Sequence, residues 1–304
     1  MIFTTTGLVD RDFYVTGMPW SPSYLLNDTV PLLFEAGFHA MGPFYVKDIA
    51  NVLGKRLPRF LFLTHVHYDH CGAAQYFRKM FPGLVICASK RANEILQRPN
   101  AIELMIALSR NFRGIADTLP EIDRDMVLRT EFEPFTIDVI FDKEELFLID
   151  PSLSVQVLFT PGHTRDMLSY YIPGRKILIA TESAGCRSQT GQVISEFLVD
   201  FDAYIASLKR LASLDVDIFC QGHHFVYTGK DVVSFFDASL AAALAFRDHV
   251  GALLQAEGNS VDKVIEIIRR EEYDLNPGPK QPEKAYLLNL KTRIAHLAAK
   301  VRQT

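Results

Sequence analysis

The stretch THVHYDH, residues 64–70, holds three of the chain's nine histidines and an aspartate. Alternate residues of a strand face the same side, so His65 and His67, leaving the apolar run RFLFL, can present both imidazoles to one point. A turn after them brings Asp69 and His70 in from another direction. Neutral imidazole with carboxylate suits zinc and is acceptable to iron or manganese, whereas calcium or magnesium would call for oxygen donors alone. An isolated histidine at a strand end is more often a surface or hydrogen-bonded residue, because imidazole has many partners. Four ligand-type residues so close together reverse that judgement.

Two further histidines stand in like surroundings, each after an apolar run and a glycine: VQVLFTPGH ends at His163 and VDIFCQGH at His223. Strand ends are where loops carry sites. Glu182 follows the run ILIAT; standing alone it would read as an exposed loop acid, since most glutamates are solvated. His39, His249 and His296 lack this setting and read as structural or solvent-exposed. Cys71 directly follows His70, and packing beneath the site suits it better than a nucleophilic role, because a free cysteine behaves as a small buried hydrophobe.

The elements that must position these groups follow an α/β pattern. Short β-prone runs separated by Gly/Pro or polar breaks open the chain over residues 1–36, and strand and helix signals then alternate through LVICAS. A helical insertion interrupts this at about residues 90–130. Strands resume at FTIDVIFD, ELFLID and VQVLFTPG; SYYIP and KILIAT are joined by a hairpin-like Pro173-Gly174-Arg175 connection. Residues 1–228 thus read as the core module, which is also the candidate catalytic domain because it carries all the ligand-type residues above. Residues 229–304 read as a C-terminal helical extension, a lid or a homodimer contact, in which NPGPKQP (276–282) separates the last two helices and Ser260 caps one of them.

With 304 residues, 48% of them hydrophobic, the chain can bury a sizeable core. A formal net charge of −4 with no block of lysines and arginines argues against a nucleic-acid or anionic-lipid surface. Arg110, Arg113, Arg124 and Arg129 are interspersed with acids, as on a solvated helical face. The start MIFTTTGLVDRDFYVTG has neither a basic leader nor a signal-type apolar core, and no run is long enough to span a bilayer, so a cytoplasmic protein without membrane contact is expected. Four cysteines without CxxC spacing suggest neither a disulfide framework nor a thiolate zinc site.

THVHYDHCG resembles the metallo-β-lactamase-fold hydrolases, whose signature is T-H-x-H-x-D-H-x-G followed by separated histidine, acidic and histidine ligands. PGH at His163, the acid at Glu182 and GH at His223 follow in the family's order, so the resemblance covers roughly residues 1–228. The HYDHCG wording, the insertion and the tail are most similar to the quinolone-signal response and thioesterase-like branch, and the glyoxalase II type is also similar. The resemblance implies a four-layer αββα sandwich. It implies that His65, His67 and His163 hold one divalent metal and Asp69, His70 and His223 a second, zinc first and iron or manganese next, with Glu182 between them. Family members usually carry aspartate where this chain has Glu182, which alters the reach of that carboxylate. Glu35 stands where many members have aspartate and is expected behind a metal-bound histidine rather than on the metal.

Two cations ~3.5–4 Å apart can share a water, lower its pKa and hold it as hydroxide facing a carbonyl or phosphoryl group. The expected activity is therefore hydrolysis of a small acyl substrate, a thioester first and an ester or lactone next. Asp69, Tyr68 and His224 are the candidate catalytic side chains, the last two as proton donors to the leaving group, with metal-bound water as the alternative donor. Met18, Trp20 and Phe225 are candidate apolar lining. The competing readings are a phosphodiesterase, a sulfur dioxygenase with a single iron, and a regulatory protein that keeps the fold.

Overall fold

The computed structural model describes residues 1–278 and 280–301, so Pro279 of the NPGPKQP break lies outside the described residues. Its first seven-stranded sheet runs in chain order through Gly7–Asp10, Phe13–Met18, Ser21–Leu26, Leu32–Phe34, Phe60–Phe62, Val85–Ser89 and Val139–Phe141. The first four pair antiparallel because only short turns join them. From Leu32–Phe34 onward pairing is parallel, because each crossover contains helix. These crossovers hold α1 (Gly42–Leu53), α2 (Ala74–Met80), and the pair α3 (Lys90–Leu96) and α4 (Pro99–Ala116). The helical insertion is thus the crossover between Val85–Ser89 and Val139–Phe141, and it buries Met105, Phe112 and Ala116 against the first sheet's outer layer.

The second seven-stranded sheet has the order Ile2–Phe3, Val226–Thr228, Ile218–Cys220, Ile177–Ile179, Leu168–Ile172, Leu153–Phe159, Glu145–Asp150. Its one parallel pair, Ile177–Ile179 with Ile218–Cys220, is connected through α5 (Phe201–Ala212). Pro173-Gly174-Arg175 turns the chain between the antiparallel strands Leu168–Ile172 and Ile177–Ile179.

Alternation along the central strands sorts side chains into three cores. Phe62, Ile177, Ile179, Ile218 and Cys220 point between the sheets, joining Phe34, Val155 and Tyr170. Leu61 and Leu63 point outward against Ile49 and Phe77. Leu178 and Phe219 point outward on the other side, against Tyr204 and Leu208 of α5. Strands buried on both faces read as unbroken apolar runs, as RFLFL and ILIA do. The result is the four-layer αββα sandwich.

The tail forms α6 (Lys230–Ala256), α7 (Val261–Arg269) and α8 (Glu283–Val301). Ser260 caps α7 by accepting from the Lys263 amide, and a π-turn at Arg270–Asp274 ends it. Its buried apolar residues, among them Phe235, Val250, Ile268, Leu290 and Ile294, share one cluster with α5 and the second sheet. Among the described residues no helix is long and apolar enough to cross a membrane.

His39 shows how the insertion is fastened. Its Nε2 lies 3.1 Å from Thr130 Oγ1 and 3.2 Å from the Thr130 carbonyl, while its buried Nδ1 has no partner. Burial holds its pKa below the ordinary imidazole value. Because the folded pKa is depressed, this stabilisation is complete above the unfolded value of about 6.5 and is lost as pH falls through the folded pKa. The urea midpoint of metal-free protein is therefore expected to drop from pH 7.5 to 5, and to drop less in His39→Gln. Parallel pH profiles for the two proteins would contradict this account.

Candidate metal centre

The sheets deliver the predicted groups at their strand ends. His65 and His67 follow Phe60–Phe62, His163 follows Leu153–Phe159, Glu182 follows Ile177–Ile179 and His223 follows Ile218–Cys220. The two sheets are tied here by the Leu168 amide, which donates to the Thr64 carbonyl (2.8 Å). The turn after His67 closes when the His70 and Cys71 amides both donate to the His67 carbonyl (3.0 Å each). Gly72 must be glycine, since a Cβ there would lie 2.4–2.6 Å from the backbone of Tyr68, His39 and Gly37. Thr181 takes a left-handed φ of 43°, unfavourable for a β-branched residue, and opens the 3-10 turn Thr181–Ala184 that carries Glu182.

Two trios of potential ligand atoms result, His65/His67/His163 and Asp69/His70/His223, each with all its atoms within 4.8 Å of one another. Glu182 stands between them. Its Oε1 lies 3.1 Å from His70 Nε2 and 3.2 Å from His223 Nε2, and its Oε2 lies 3.9 Å from His65 Nε2. Asp69 Oδ2 is 3.7 Å from His223 Nε2 and 4.0 Å from His70 Nε2. The extra methylene of glutamate is accommodated over Gly222, where an added Cβ would sit 1.8 Å from Glu182 Oε1.

The far side of each ring is tied down. His163 Nδ1 donates to the Glu196 carbonyl and His223 Nδ1 to the Trp20 carbonyl (2.7 Å). Because a carbonyl only accepts, these Nδ1 atoms carry the proton, and in the neutral rings Nε2 keeps its lone pair facing the centre. His70 Nδ1 meets Glu35 Oε2 at 2.6 Å, while Glu35 Oε1 accepts from the Thr64 amide at 2.7 Å. Glu35 therefore lies behind His70. His65 Nδ1 contacts Thr64 Oγ1 at 3.0 Å, and His67 Nδ1 faces His163 Nε2 at 3.2 Å.

Electrostatics splits the trios. Burial, reinforced by neighbouring imidazoles, pushes His65 well below the ordinary value and His163 down to about 3. Burial opposes charge on His70 as well, yet Glu182 and Asp69 outweigh it and raise its pKa. His223 is raised against burial by Glu182, and Glu182 is held ionised against burial by His70 and His223. Without a metal the Glu182 charge thus favours the protonated form of His70 and His223, while burial favours the neutral form of His65 and His163.

The donor set fits divalent cations. His65 Nε2 and Glu182 Oε2 are buried without a hydrogen-bond partner, a costly arrangement unless something else engages them. Nitrogen donors with two carboxylates, four ring nitrogens fixed from behind, match transition-metal preferences.

The remaining candidates lie alongside. Burial, with a lesser contribution from the Asp69 charge, raises the Tyr68 phenol, whose ring meets Phe38 edge-on (5.5 Å). His224 takes a left-handed φ of 64°, and burial pushes its pKa down to about 4. Gln189 Nε2 approaches its Nδ1 at 3.2 Å. Trp20 packs on Phe38 and on Phe112 of α4, so the insertion backs an aromatic wall beside the centre. Met18 is buried in the first outer core, and half-buried Phe225 packs against the second. Cys71 is fully buried and its thiol is held well above the ordinary value by burial, which suits packing. His249 pairs with Glu271 at the surface, and His296 accepts from the Phe201 amide.

Sequence reasoning missed Asp166, a buried acid that accepts from the Val66 amide (2.9 Å) between two ligands. It also missed the Glu196 and Trp20 carbonyls. The TRD tripeptide after PGH offered a weak signal for the first; backbone acceptors offer none.

Residues 21–223 match the family described as the metallo-beta-lactamase superfamily. The chain is 28% identical over 134 residues to a protein named Glyoxylase B2 from Dictyostelium discoideum, covering 44% of this chain and 38% of that one. It is 25% identical over 185 residues to a hydroxyacylglutathione hydrolase from Bartonella tribocorum, covering 59% of this chain and 54% of the relative. The chain thus spans about half or less of the length of these relatives. A metallo-beta-lactamase family protein from Thermus thermophilus superposes with a TM-score of 0.61 at 18% identity, over 96% of this chain and 94% of that one, which speaks to the fold alone. With two thirds of its length matched and its layers in the same arrangement, the chain belongs to the metallo-beta-lactamase superfamily.

Proposed function

We propose that this chain is a hydrolase for small acyl substrates, thioesters first and esters or lactones next, that works with two divalent cations, zinc foremost. The observation carrying this reading is the convergence of two ligand trios on one buried carboxylate, Glu182, with His65 Nε2 and Glu182 Oε2 left without other partners. His65, His67 and His163 would hold one cation and Asp69, His70 and His223 the other, with Glu182 reaching both. Bound there, such cations would supply Lewis-acid chemistry, lowering the pKa of a water and polarising a carbonyl.

The chain's own groups do the rest. Glu35 and the Glu196 and Trp20 carbonyls keep His70, His163 and His223 turned inward. Asp69, at the rim of the second trio, is placed to orient the attacking water. Tyr68 and His224 adjoin the ligand candidates Asp69 and His223 and are placed as hydrogen-bond donors to a leaving group; burial disfavours the charged form of each, so protonation by metal-bound water is the alternative. The aromatic wall of Trp20, Phe38 and Phe112 offers an apolar face to an acyl chain. The similarity to a hydroxyacylglutathione hydrolase favours thioesters, and the acidic balance disfavours long nucleic acids.

The test compares turnover by the metal-loaded protein of acyl thioesters, nitrophenyl esters and bis(nitrophenyl) phosphate, with metal content and oxygen uptake measured in parallel. Two metals per chain, thioester turnover ahead of the phosphodiester and no oxygen uptake are expected. One iron with oxygen consumption, or a faster phosphodiesterase, would replace this reading.

A further inference from the structure

Helix α8 reaches the metal centre through one intermediary. The Glu196 carbonyl that accepts from His163 Nδ1 belongs to residues 195–201, a strap leading from the short strand Val193–Ile194 into α5. The strap is bonded to the PGH loop, since the Leu198 and Val199 amides donate to the Gly162 carbonyl at 3.1 and 3.0 Å. Both strap ends are held by α8. Arg293 Nη1 donates to the Ser195 carbonyl (3.2 Å), and the Phe201 amide donates to His296 Nε2 (3.0 Å).

Arg293 is an unusual residue to find in this place. It is 2% exposed, lies over the Phe246 ring at 4.5 Å, and bonds Glu272 Oε2 through Nη2 at 3.1 Å, while its Nε has no partner. Burying a guanidinium carries a desolvation penalty that an apolar side chain of similar volume would avoid. Simple packing of α8 would not require it, whereas a donor shared between Glu272 and the Ser195 carbonyl ties α8 to the strap.

We propose that α8 is a positioning element of the metal centre, with Arg293 and His296 clamping residues 195–201 so that the Glu196 carbonyl fixes the His163 ring. The inference rests on His163 being a metal ligand. It gives the C-terminal helices a role inside the catalytic unit: Arg293 bonds Ser195 and Glu272 and none of the ligand candidates, and acts through His163.

The experiment is a Co²⁺ titration of the full metal-free chain, read by visible absorption, for wild type, Arg293→Met, His163→Ala and the double variant. Loss of a group that orients a ligand weakens metal affinity by about 10–100-fold. Arg293→Met is expected to show such a loss and an altered cobalt spectrum, Arg293→Lys to recover part of it, and Arg293→Met to add nothing in the His163→Ala background. Circular dichroism confirms the fold; if Arg293→Met does not fold, His296→Leu at the other strap end takes its place. Wild-type cobalt affinity in the clamp variant, or an equal loss in both backgrounds, overturns the positioning role. Wild-type affinity in His163→Ala would instead overturn the ligand reading beneath it.

Discussion

His67→Ala is expected to lower both metal affinity and turnover by on the order of 10³-fold, more than the about 10–100-fold typical of groups that only orient a ligand. His67 Nδ1 faces His163 Nε2 at 3.2 Å, and the rings of His65, His67 and His163 stand 4.5–5.1 Å apart around one point. Removing one donor of three leaves too few bonds to hold a cation against water. A 10³-fold loss corresponds to about 4 kcal/mol of transition-state stabilisation. Because His67 is only half-buried, the fold should survive. Metal analysis beside kcat/KM checks this, and a fully loaded, active His67→Ala would remove the three-histidine site from the mechanism.

Gly222→Ala is expected to be nearly as damaging, although it adds a single methyl group outside any ligand. The new Cβ would sit 1.8 Å from Glu182 Oε1 and 2.6 Å from its Cδ, so the carboxylate must move away from His70 and His223. Overpacking of this kind costs about 1–3 kcal/mol of stability, and the displaced carboxylate should weaken metal binding as well. Glu182→Asp, one methylene shorter, vacates that space, so Gly222→Ala with Glu182→Asp should bind metal better than Gly222→Ala alone. Metal stoichiometry and melting temperature of the three variants decide it; strictly additive losses would mean that Gly222 matters for its backbone and not for the room it leaves.

This coupling marks a boundary in what residue types reveal. The glutamate at 182 is visible in the sequence as a longer acid than the family usually carries, but the absence of a side chain at 222 that makes room for it appears only in space. The same holds for the back of the site. Glu35 was readable because it is an acid at a telling position, and it does lie behind His70. The carbonyls of Trp20 and Glu196 were not, because every residue has a carbonyl and no identity announces its use.

By itself the sequence determined the candidate ligand residues and the class of scaffold. Contiguous ligand types at strand spacing, glycine-terminated apolar runs and alternating helix and strand signals are local properties, and local properties survive without coordinates. Only the tertiary structure decided how the strands divide between two sheets, that the insertion is a parallel crossover, that the tail covers the second sheet, and that Arg293 of α8 reaches toward His163 through residues 195–201. Strands buried on both faces carry no polar side to declare which layer they meet, and contacts between residues almost a hundred positions apart are set by packing.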